Sequence, residues 1–380
     1  MKFFLALFYA LSIVLPITYC GKAVLTGGGV SNTNADIYDA FIDLATVSGE
    51  SYIGVITSGI SLSVAESTAT TIMRRLQRTY GATRVEWLPF HAENGTTCTS
   101  TTLANRIKSM TGVYLNGGDT DRYMDCFYKN GEPTAALTTM RTQYKNNRLA
   151  VMGSSAGTLI VQETPMLRIR ESYNSFRLGS SVTSPGGFGL FEYGFLDVHF
   201  SNKGRQGRLM RLVEDLQQKS HLGYGIDEDT AMVIDGNKFT VAGTKGVYIF
   251  NVDEAINTSG KRFGVNGLKG SYLTNGDSFN FLTEKITFAR AKLTSSTVNQ
   301  VTAKMTNNIF QPGMFTTLTT RLFMAGLSTS TFGYTEEVDP RFRINFKKVA
   351  GSNGYRGVVS GKELISYENL NIDIYCYSGC

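Results

Sequence analysis

The run RLAVMGSSAGTLIVQE, residues 148–163, joins an apolar segment, a serine flanked by glycines, and a second apolar segment. The first segment predicts a buried strand, and the second is compatible with a helix. Gly153 and Gly157 permit a sharp strand-to-helix turn, which would expose the hydroxyl of Ser155 above a sheet. The backbone N–H of Ala156 would then lie at a helix start, where it can stabilise an oxyanion. Because G-x-S-x-G also arises by chance, the motif alone does not identify a nucleophile, and a base and an orienting carboxylate must be found elsewhere in the chain.

Strand-like and helix-like segments alternate on the N-terminal side of this turn. Such alternation predicts an α/β fold, a mostly parallel sheet with helices on both faces. The glycine turn, residues 27–29, lacks a complete G-x-G-x-x-G pattern and is interpreted as a structural turn near the active-site end of the sheet. Strands are predicted at 23–29, 51–57, 85–90, 112–118 and 148–155, and helices at 34–48, 64–80, 121–127 and 133–146.

The sequence pattern changes in the second half, where glycine and serine become frequent. Short apolar segments predict a meander that completes the α/β unit, followed by a smaller β-rich C-terminal extension. We therefore divide the chain into a leader (1–20), a catalytic domain (21–283) and a C-terminal extension (284–380) of mixed helix and antiparallel strands. The predicted strands are 230–234, 238–243, 246–252, 341–349 and 371–377, and the predicted helix of the extension is 286–305.

The first twenty residues resemble a secretory signal peptide. Lys2 precedes an apolar run at 3–15, which is too short to span a bilayer comfortably. Thr18 and Cys20 are small enough for the −3 and −1 positions of a cleavage site. We expect a secreted, extracellular protein that has no membrane contact once the leader is removed; an uncleaved anchor or a buried helix is the alternative.

Cysteine usage agrees with export. Of five cysteines, one lies in the leader, and the remaining four allow two disulfides in three connectivities. Cys376 and Cys380 flank a turn-like tripeptide and could pair locally, which would leave Cys98 for Cys126. Four separate thiols are the alternative. No CxxC or clustered Cys/His spacing predicts a metal site.

The charge distribution bears on the class of partner, and two sequons are candidate sites of glycosylation. The net charge is +6, and no run of five basic residues occurs, so a nucleic-acid partner is not expected. Asn94 and Asn257 begin the sequons NGT and NTS and are candidate glycosylation sites.

A serine nucleophile needs a base, and the chain contains three histidines. His199 follows an apolar strand and precedes a predicted helix. His91 lies in a polar loop, and His221 could cap a helix; both remain weaker candidates. The base needs an orienting carboxylate in turn, and the segment 223–234 offers Asp227, Glu228 and Asp229 without distinguishing between them.

Cationic residues follow His199 at helical spacing. Arg205, Arg208 and Arg211 recur every third residue and would share one face, which suits a carboxylate-bearing substrate. A solvated face that pairs with Glu214 and Asp215 is the alternative.

A second glycine-rich turn follows a predicted strand at the same sheet edge. The sequence NGGD, residues 116–119, would let backbone N–H groups approach a reacting carbonyl, although it is equally compatible with a plain strand-to-helix turn.

Four segments together resemble the cyanophycinase and dipeptidase E group of serine peptidases, peptidase family S51. They are GSSAG, LNGGD, DVHFSNKGRQGRL and GYGIDEDTA, and the resemblance runs from about residue 22 to 283. It implies a flavodoxin-like α/β fold related to class I glutamine amidotransferases. The order Ser, His, Glu differs from that of α/β-hydrolases, which disfavours an ordinary esterase.

The resemblance also implies roles for particular residues. Ser155 would be the nucleophile, His199 the base and Glu228 the orienting carboxylate, with oxyanion donors from the N–H groups of Gly118 and Ala156. It implies no metal and no organic cofactor. Relatives in the family are often homodimers, so a homodimer is a possible assembly.

The family's cyanophycinases cleave a poly-aspartate polymer with arginine side groups and release β-aspartyl-arginine. Asp197, Arg205 and Arg208 match the family's substrate-contact positions. Thr120 and Lys203 replace a glutamine and an arginine at two others.

The residue before the candidate base also departs from the family, because Val198 replaces a glutamine. An apolar valine cannot bond a substrate amide, and a lysine at 203 loses the bidentate fork of arginine. We therefore expect hydrolysis at peptide or isopeptide bonds of an aspartate-rich substrate that need not be cyanophycin. An esterase, an α-aspartyl dipeptidase, or a secreted binding or matrix protein without turnover are the alternatives.

Overall fold

The computed structural model describes residues 21–164, 166–168, 170–183, 186–298 and 301–380. The predicted leader, 1–20, lies outside the described residues and stays a prediction. Within the described ranges, no helix is long and apolar enough to cross a membrane.

The first sheet has the predicted parallel half and an antiparallel half beside it. Its strand order, with strands numbered along the chain, is β18-β17-β13-β12-β1-β7-β4-β2-β3. The parallel strands are β1 (Lys22–Thr26), β7 (Ala150–Ser154), β4 (Gly112–Leu115), β2 (Tyr52–Ile56) and β3 (Arg84–Leu88). The antiparallel strands are β12 (Thr230–Asp235), β13 (Lys238–Gly243), β17 (Ser278–Asn280) and β18 (Ile286–Thr287).

Helices cover the parallel half on both faces, as predicted. They are α1 (Ala35–Ala45), α2 (Leu62–Arg74) with a π-helical continuation (Arg75–Thr79), α3 (Gly95–Cys98), α4 (Thr101–Ile107), α5 (Thr120–Phe127) and α6 (Ala135–Lys145). A small hairpin of β5 (Tyr128–Lys129) and β6 (Glu132–Pro133) separates α5 from α6.

Neighbouring side chains on one strand enter different cores. On β1, Val24 packs in the core that contains Phe41 of α1, whereas Leu25 packs in the core that contains Leu137 of α6. All four side chains are fully buried. Burying a side chain of this kind stabilises the fold by roughly 1.5–3 kcal/mol. Because both faces are covered, these strands are continuous apolar runs rather than alternating ones.

The second sheet combines the later part of the predicted catalytic domain with the extension. Its order is β10-β11-β14-β16-β22-β21-β19, with β15 against β16 and β20 against β21. The strands are β10 (Phe195–Val198), β11 (Leu222–Ile226), β14 (Gly246–Asn251), β15 (Ile256–Asn257), β16 (Val265–Thr274), β19 (Thr294–Ser295), β20 (Ser330–Tyr334), β21 (Arg341–Val359) and β22 (Lys362–Ser378).

The helix α7 (Ala156–Leu159) directly follows β7 of the first sheet. The other elements are the helices α8 (Ser172–Leu178), α9 (Gln206–Asp215) and α10 (Met314–Met324) and a small hairpin of β8 (Met166–Leu167) and β9 (Val182–Thr183).

The extension continues the second sheet without a break. Strand β22 pairs with β16 from Val265 opposite Ile374 to Tyr272 opposite Tyr367. The strands predicted at 341–349 and 371–377 are confirmed as parts of the long hairpin β21–β22. The division at residue 283 stays a prediction, but the ladder shows that the two parts share one sheet.

The helix predicted at 286–305 is wrong. Its described residues contain β18, a 3₁₀ turn (Arg290–Lys292) and β19, whereas the helix α10 of the extension lies further along the chain. Tertiary contacts hold residues 286–298 in an irregular path instead. The fully buried Lys292 bonds Asp277 at 2.7 Å and the carbonyl of Thr274 at 3.0 Å.

Candidate active site

Ser155 occupies a strained turn between β7 and α7. Its backbone has φ 54° and ψ −115°, a conformation that L-residues adopt only when the surrounding structure imposes it. A Cβ at position 153 would lie 2.5 Å from the Gly157 carbonyl oxygen, and one at position 157 would lie 2.1 Å from the Leu115 carbonyl oxygen. Both glycines are therefore required for the turn, as the G-x-S-x-G pattern predicts.

His199 lies at the end of β10 and faces the serine. Its Nε2 atom is 2.7 Å from Ser155 Oγ. The residue has φ 51°, and its backbone N–H donates to the Gly27 carbonyl at 2.9 Å. A Cβ on Gly28 would lie 2.5 Å from the imidazole Cε1. The glycine turn thus packs directly against the histidine, in agreement with its interpretation as a structural turn at this end of the sheet.

The three candidate carboxylates have separate places in the structure. Glu228 Oε1 is 2.8 Å from His199 Nδ1. Asp227 is buried and accepts the backbone N–H of Ser201 at 2.8 Å. Asp229 accepts backbone and side-chain N–H groups of the loop between β1 and α1. Of the three, Glu228 is the one that bonds the histidine, and its role as the orienting carboxylate stays a prediction.

Burial sets the electrostatics of the histidine. Loss of solvent lowers the pKa of His199 below its ordinary value of 6.5, and the nearby cations Lys203 and Arg205 lower it further. The hydrogen bond to Glu228 acts in the opposite direction but does not cancel the effect of burial. The imidazole is therefore neutral near pH 7 and able to accept a proton.

The two other histidines lie outside this cluster. His91 is buried and contacts Thr57 Oγ1 at 3.2 Å, and burial lowers its pKa. His221 contacts Glu284 at 2.6 Å. Neither lines the cleft beside Ser155.

A cleft of about 580 Å³ opens beside Ser155. Its wall is formed by the turn at Ser155, by the end of the NGGD turn and the start of α5, by the segment around His199, and by residues next to the β8–β9 hairpin. The lining residues are Gly118, Asp119, Thr120, Asp121, Ser155, Ala156, Leu159, Arg168, Ser181, Val198, His199, Lys203, Arg205 and Arg208.

Most residues predicted to bind substrate line this cleft, and Asp197 does not. It is fully buried beneath the wall and bonds the guanidinium of Arg208 at 2.7 and 2.5 Å. Arg205 approaches the same carboxylate at 3.6 Å and donates to the Val198 carbonyl at 2.7 Å. Asp197 is therefore placed to hold the two arginines rather than to touch a ligand.

Helical spacing predicted that Arg211 shares a face with Arg205 and Arg208, but it does not line the cleft. Arg211 bonds Asp215 at 2.7 Å and lies over the ring of Phe263, away from the cleft. Pairing with an acidic residue of the same helix thus holds for Arg211, whereas Arg205 and Arg208 line the cleft.

Gly118 begins the approach to α5 with φ 135°. A Cβ there would lie 2.1 Å from the Gly59 carbonyl oxygen, so another residue would displace the turn. Both Gly118 and Ala156 line the cleft next to Ser155. Their roles as oxyanion donors stay predictions.

Two groups of residues at the site were not predicted from the sequence. Arg168 lines the cleft and pairs with Asp121 across it at 3.2 Å. Asn202 and Lys245 lie behind Glu228. No local motif marks Arg168 or Lys245, because their neighbours in space are distant in sequence.

The structure contains two disulfides, in the connectivity that local pairing of Cys376 with Cys380 predicts. Cys98 joins Cys126, linking α3 to α5, and Cys376 joins Cys380. The sequon residues Asn94 and Asn257 are both exposed, and Asn257 also bonds Glu214. Oxidation and glycosylation in the natural protein stay predictions. Within the described part of the chain, no cluster of three metal-ligating side chains occurs.

The fold and this cluster together define a hydrolase-type site on an α/β sheet. The chain belongs to peptidase family S51, whose model matches residues 24–242, more than half of the chain. It is 29% identical to the cyanophycinase of Trichormus variabilis over 161 residues, which are 42% of this chain and 51% of that protein. It is 30% identical to the Synechococcus elongatus cyanophycinase over 132 residues, 35% of this chain and 38% of that protein.

The chain thus spans about half the length of the first of these curated relatives. Among solved structures, a peptidase from an acI-B1 Actinobacterium matches with a TM-score of 0.51 at 18% identity. The match covers 69% of this chain and 98% of that one. This likeness concerns the fold, and it confirms the predicted flavodoxin-like α/β architecture.

Proposed function

We propose that this protein is a serine peptidase that hydrolyses peptide or isopeptide bonds at aspartyl residues through an acyl-enzyme on Ser155. The observation that carries the proposal is the continuous chain of short contacts from Ser155 to His199 to Glu228, 2.7 and 2.8 Å long. Family membership and the similarity to cyanophycinases support the reaction class.

Each residue of the chain of contacts has a defined task in this mechanism. His199 Nε2 takes the Ser155 hydroxyl proton as Oγ bonds the substrate carbonyl carbon, and the carbonyl electron pair moves to oxygen. The N–H groups of Gly118 and Ala156 stabilise that oxyanion. Glu228 accepts the Nδ1–H of His199, holds that tautomer and stabilises the imidazolium.

Collapse of the tetrahedral intermediate breaks the carbon–nitrogen bond, and His199 delivers its proton to the leaving amine. Water then repeats the sequence on the ester: His199 takes a water proton, hydroxide adds to the acyl carbon, and Ser155 leaves with the proton restored. No metal or organic cofactor takes part in these steps.

The cationic wall of the cleft favours a substrate carboxylate. Lys203, Arg205 and Arg208 face the cleft, and the buried Asp197 is the carboxylate that touches the two arginines. In the described structure, the buried Nε–H of Arg205 has no hydrogen-bond partner. A buried donor without a partner costs about 1–3 kcal/mol, so a bound carboxylate would relieve that cost. An aspartyl side chain or free aspartyl carboxylate fits this chemistry.

The direct experiment measures β-aspartyl-arginine release from purified cyanophycin by the wild type and by Ser155→Ala. Release by the wild type alone would support both the nucleophile and the substrate class. No release by either would exclude cyanophycin and lead to a library of isoaspartyl and α-aspartyl peptides. If none of these peptides is hydrolysed either, a binding or matrix protein without turnover is favoured.

We also propose that the protein is secreted after removal of residues 1–20. The apolar run at 3–15 and the even cysteine number that remains support export. Amino-terminal sequencing of protein collected from the medium should start at Gly21. A retained Met1 in the exported material would contradict cleavage at this position.

A further inference from the structure

The second oxygen of Glu228 is held by residues outside the candidate triad. Asn202 Nδ2 donates to Glu228 Oε2 at 2.7 Å. Lys245 Nζ in turn donates to Asn202 Oδ1 at 2.7 Å. The carboxylate is thus bonded on both oxygens, by His199 on one side and by the Asn202–Lys245 pair on the other.

The chemistry of these partners allows one orientation of the Asn202 amide. A lysine ammonium group only donates, and an ionised carboxylate only accepts. Lys245 must therefore face the amide oxygen, and Glu228 must face the amide nitrogen. Without the lysine, the amide would lose the contact that fixes its direction.

Backbone structure places both side chains close behind the triad. Asn202 lies in the 3₁₀ turn Ser201–Lys203, three residues after the histidine. Lys245 lies between β13 and β14, just beyond the region matched by the family model, and its backbone N–H donates to Thr230 Oγ1 at 3.0 Å. The two side chains line a depression near Thr316 of α10 rather than the cleft that contains Ser155.

We propose that Asn202 and Lys245 are positioning residues that fix the plane of the Glu228 carboxylate and thereby the orientation of His199. This inference rests on the proposed function for its effect on turnover. Neither residue touches the substrate cleft, so their action passes through Glu228.

The inference has a pH signature with a defined sign. The Asn202 N–H and the Lys245 charge draw negative charge toward Oε2; without them more of it resides on Oε1, which stabilises the imidazolium form of His199. The pKa of His199 should therefore rise in Asn202→Ala and Lys245→Met. The other charges that face the imidazole, Lys203 and Arg205, are unchanged in these variants.

The experiment compares Asn202→Ala, Lys245→Met, Lys245→Arg and the wild type over a pH series with an aspartyl peptide or cyanophycin. We expect kcat/KM to fall about 10-fold to 100-fold in the first two variants, because small misplacement of a catalytic group has effects of this size. The loss should lie in kcat, and the acid limb should move to higher pH. Lys245→Arg keeps a cationic donor and should retain more activity than Lys245→Met.

A matched control removes an exposed lysine at the opposite end of β13. Lys238, at the other end of β13 opposite Asp235, is exposed, and Lys238→Met should behave as the wild type. Losses below about twofold in Asn202→Ala and Lys245→Met, with an unchanged acid limb, would overturn the proposal. Lys245 is only partly buried, so Lys245→Met should fold. This variant therefore tests the proposal even if Asn202→Ala does not fold.

A second readout separates this inference from the proposed function. The protein contains three histidines, so ¹⁵N-histidine NMR can follow the imidazole of His199 without substrate. A higher pKa in Asn202→Ala and Lys245→Met supports the coupling of this pair to His199 through Glu228 even if no substrate is turned over. An unchanged pKa in both variants contradicts it, whatever the activity of the wild type.

Discussion

At the residue scale, the strained backbone of Ser155 links local structure to chemistry. Its positive φ arises because β7 must turn into α7 within one residue, between two glycines that admit no Cβ. The turn directs Oγ at His199 and away from the core. Strain of this kind costs about 1–3 kcal/mol and persists because packing around the turn imposes it.

Ser155→Ala should abolish hydrolysis while leaving the fold intact. Loss of the nucleophile in a serine hydrolase reduces turnover by about a millionfold, so the residual rate should lie at the detection limit. The measurement is kcat on the best aspartyl substrate, with circular dichroism as the control for folding. A variant that keeps more than about a hundredth of the wild-type rate would contradict Ser155 as nucleophile.

The acid limb of the wild-type pH profile should lie below pH 6.5. Burial lowers the pKa of His199 from that value, and the base works only when it is neutral. As pH falls, activity is therefore retained until the imidazole takes up a proton at its lowered pKa. A kcat/KM profile from pH 4 to 9 checks this, and a midpoint above 6.5 would contradict it.

At the scale of elements, the segment that carries the histidine is held by the extension. We call residues 199–204 the histidine loop. The Gly313 N–H donates to the Ser201 carbonyl at 2.9 Å, and Ser201 Oγ is 2.8 Å from Thr316 Oγ1. Segments more than a hundred residues apart thus meet at the loop that presents His199.

Gly204→Ala should impair both stability and activity. The residue has φ 56°, and a Cβ would lie 1.8 Å from the Phe310 carbonyl oxygen, so either the histidine loop or the extension must move. We expect a loss of more than about 2 kcal/mol in the free energy of unfolding, since the clash adds to a positive-φ cost of about 1–2 kcal/mol. Urea unfolding and kcat/KM measure the two effects.

Gly361→Ala is the matched control for that substitution. Gly361 has φ 75° in the turn of the β21–β22 hairpin, and a Cβ there would contact nothing within 4 Å. The free energy of unfolding should fall only by the cost of placing alanine at positive φ, about 1–2 kcal/mol, and kcat/KM should be unchanged. Equal losses in the two variants would show that the contact with Phe310 contributes nothing.

At the scale of the whole molecule, a buried ion pair joins the two parts of the chain. Lys292 of the extension and Asp277, which follows β16, are both fully buried and 2.7 Å apart. Asp277 also accepts from Ser366 of β22. The pair therefore anchors the start of the extension to the second sheet at a point where neither charge can reach water.

Lys292→Met should destabilise the whole protein. Removing one partner of a buried pair leaves an uncompensated charge, which costs about 3–5 kcal/mol. Urea unfolding followed by fluorescence measures the loss. In a double-mutant cycle, Asp277→Asn with Lys292→Met should cost less than the sum of the single changes. Full additivity would show that the two groups are not coupled.

The sequence alone determined the features that depend on neighbours along the chain. Apolar strands alternating with helical segments predicted the parallel sheet, and the glycines beside Ser155 predicted the turn, because both are local properties. Family resemblance selected Glu228 among three adjacent acids, a choice that residue chemistry left open. The irregular path of residues 286–298 was not predictable, since it depends on the distant partner Asp277.

Only the tertiary structure decided which charged groups work together. Asp197 was expected to touch substrate, yet it lies buried under Arg208, because the strand β10 turns that side chain inward. The contact of Lys245 with Asn202 and that of Gly313 with Ser201 join segments 43 and more than a hundred residues apart. Periodicity cannot report such contacts, because burial and pairing arise only when separate elements pack against each other.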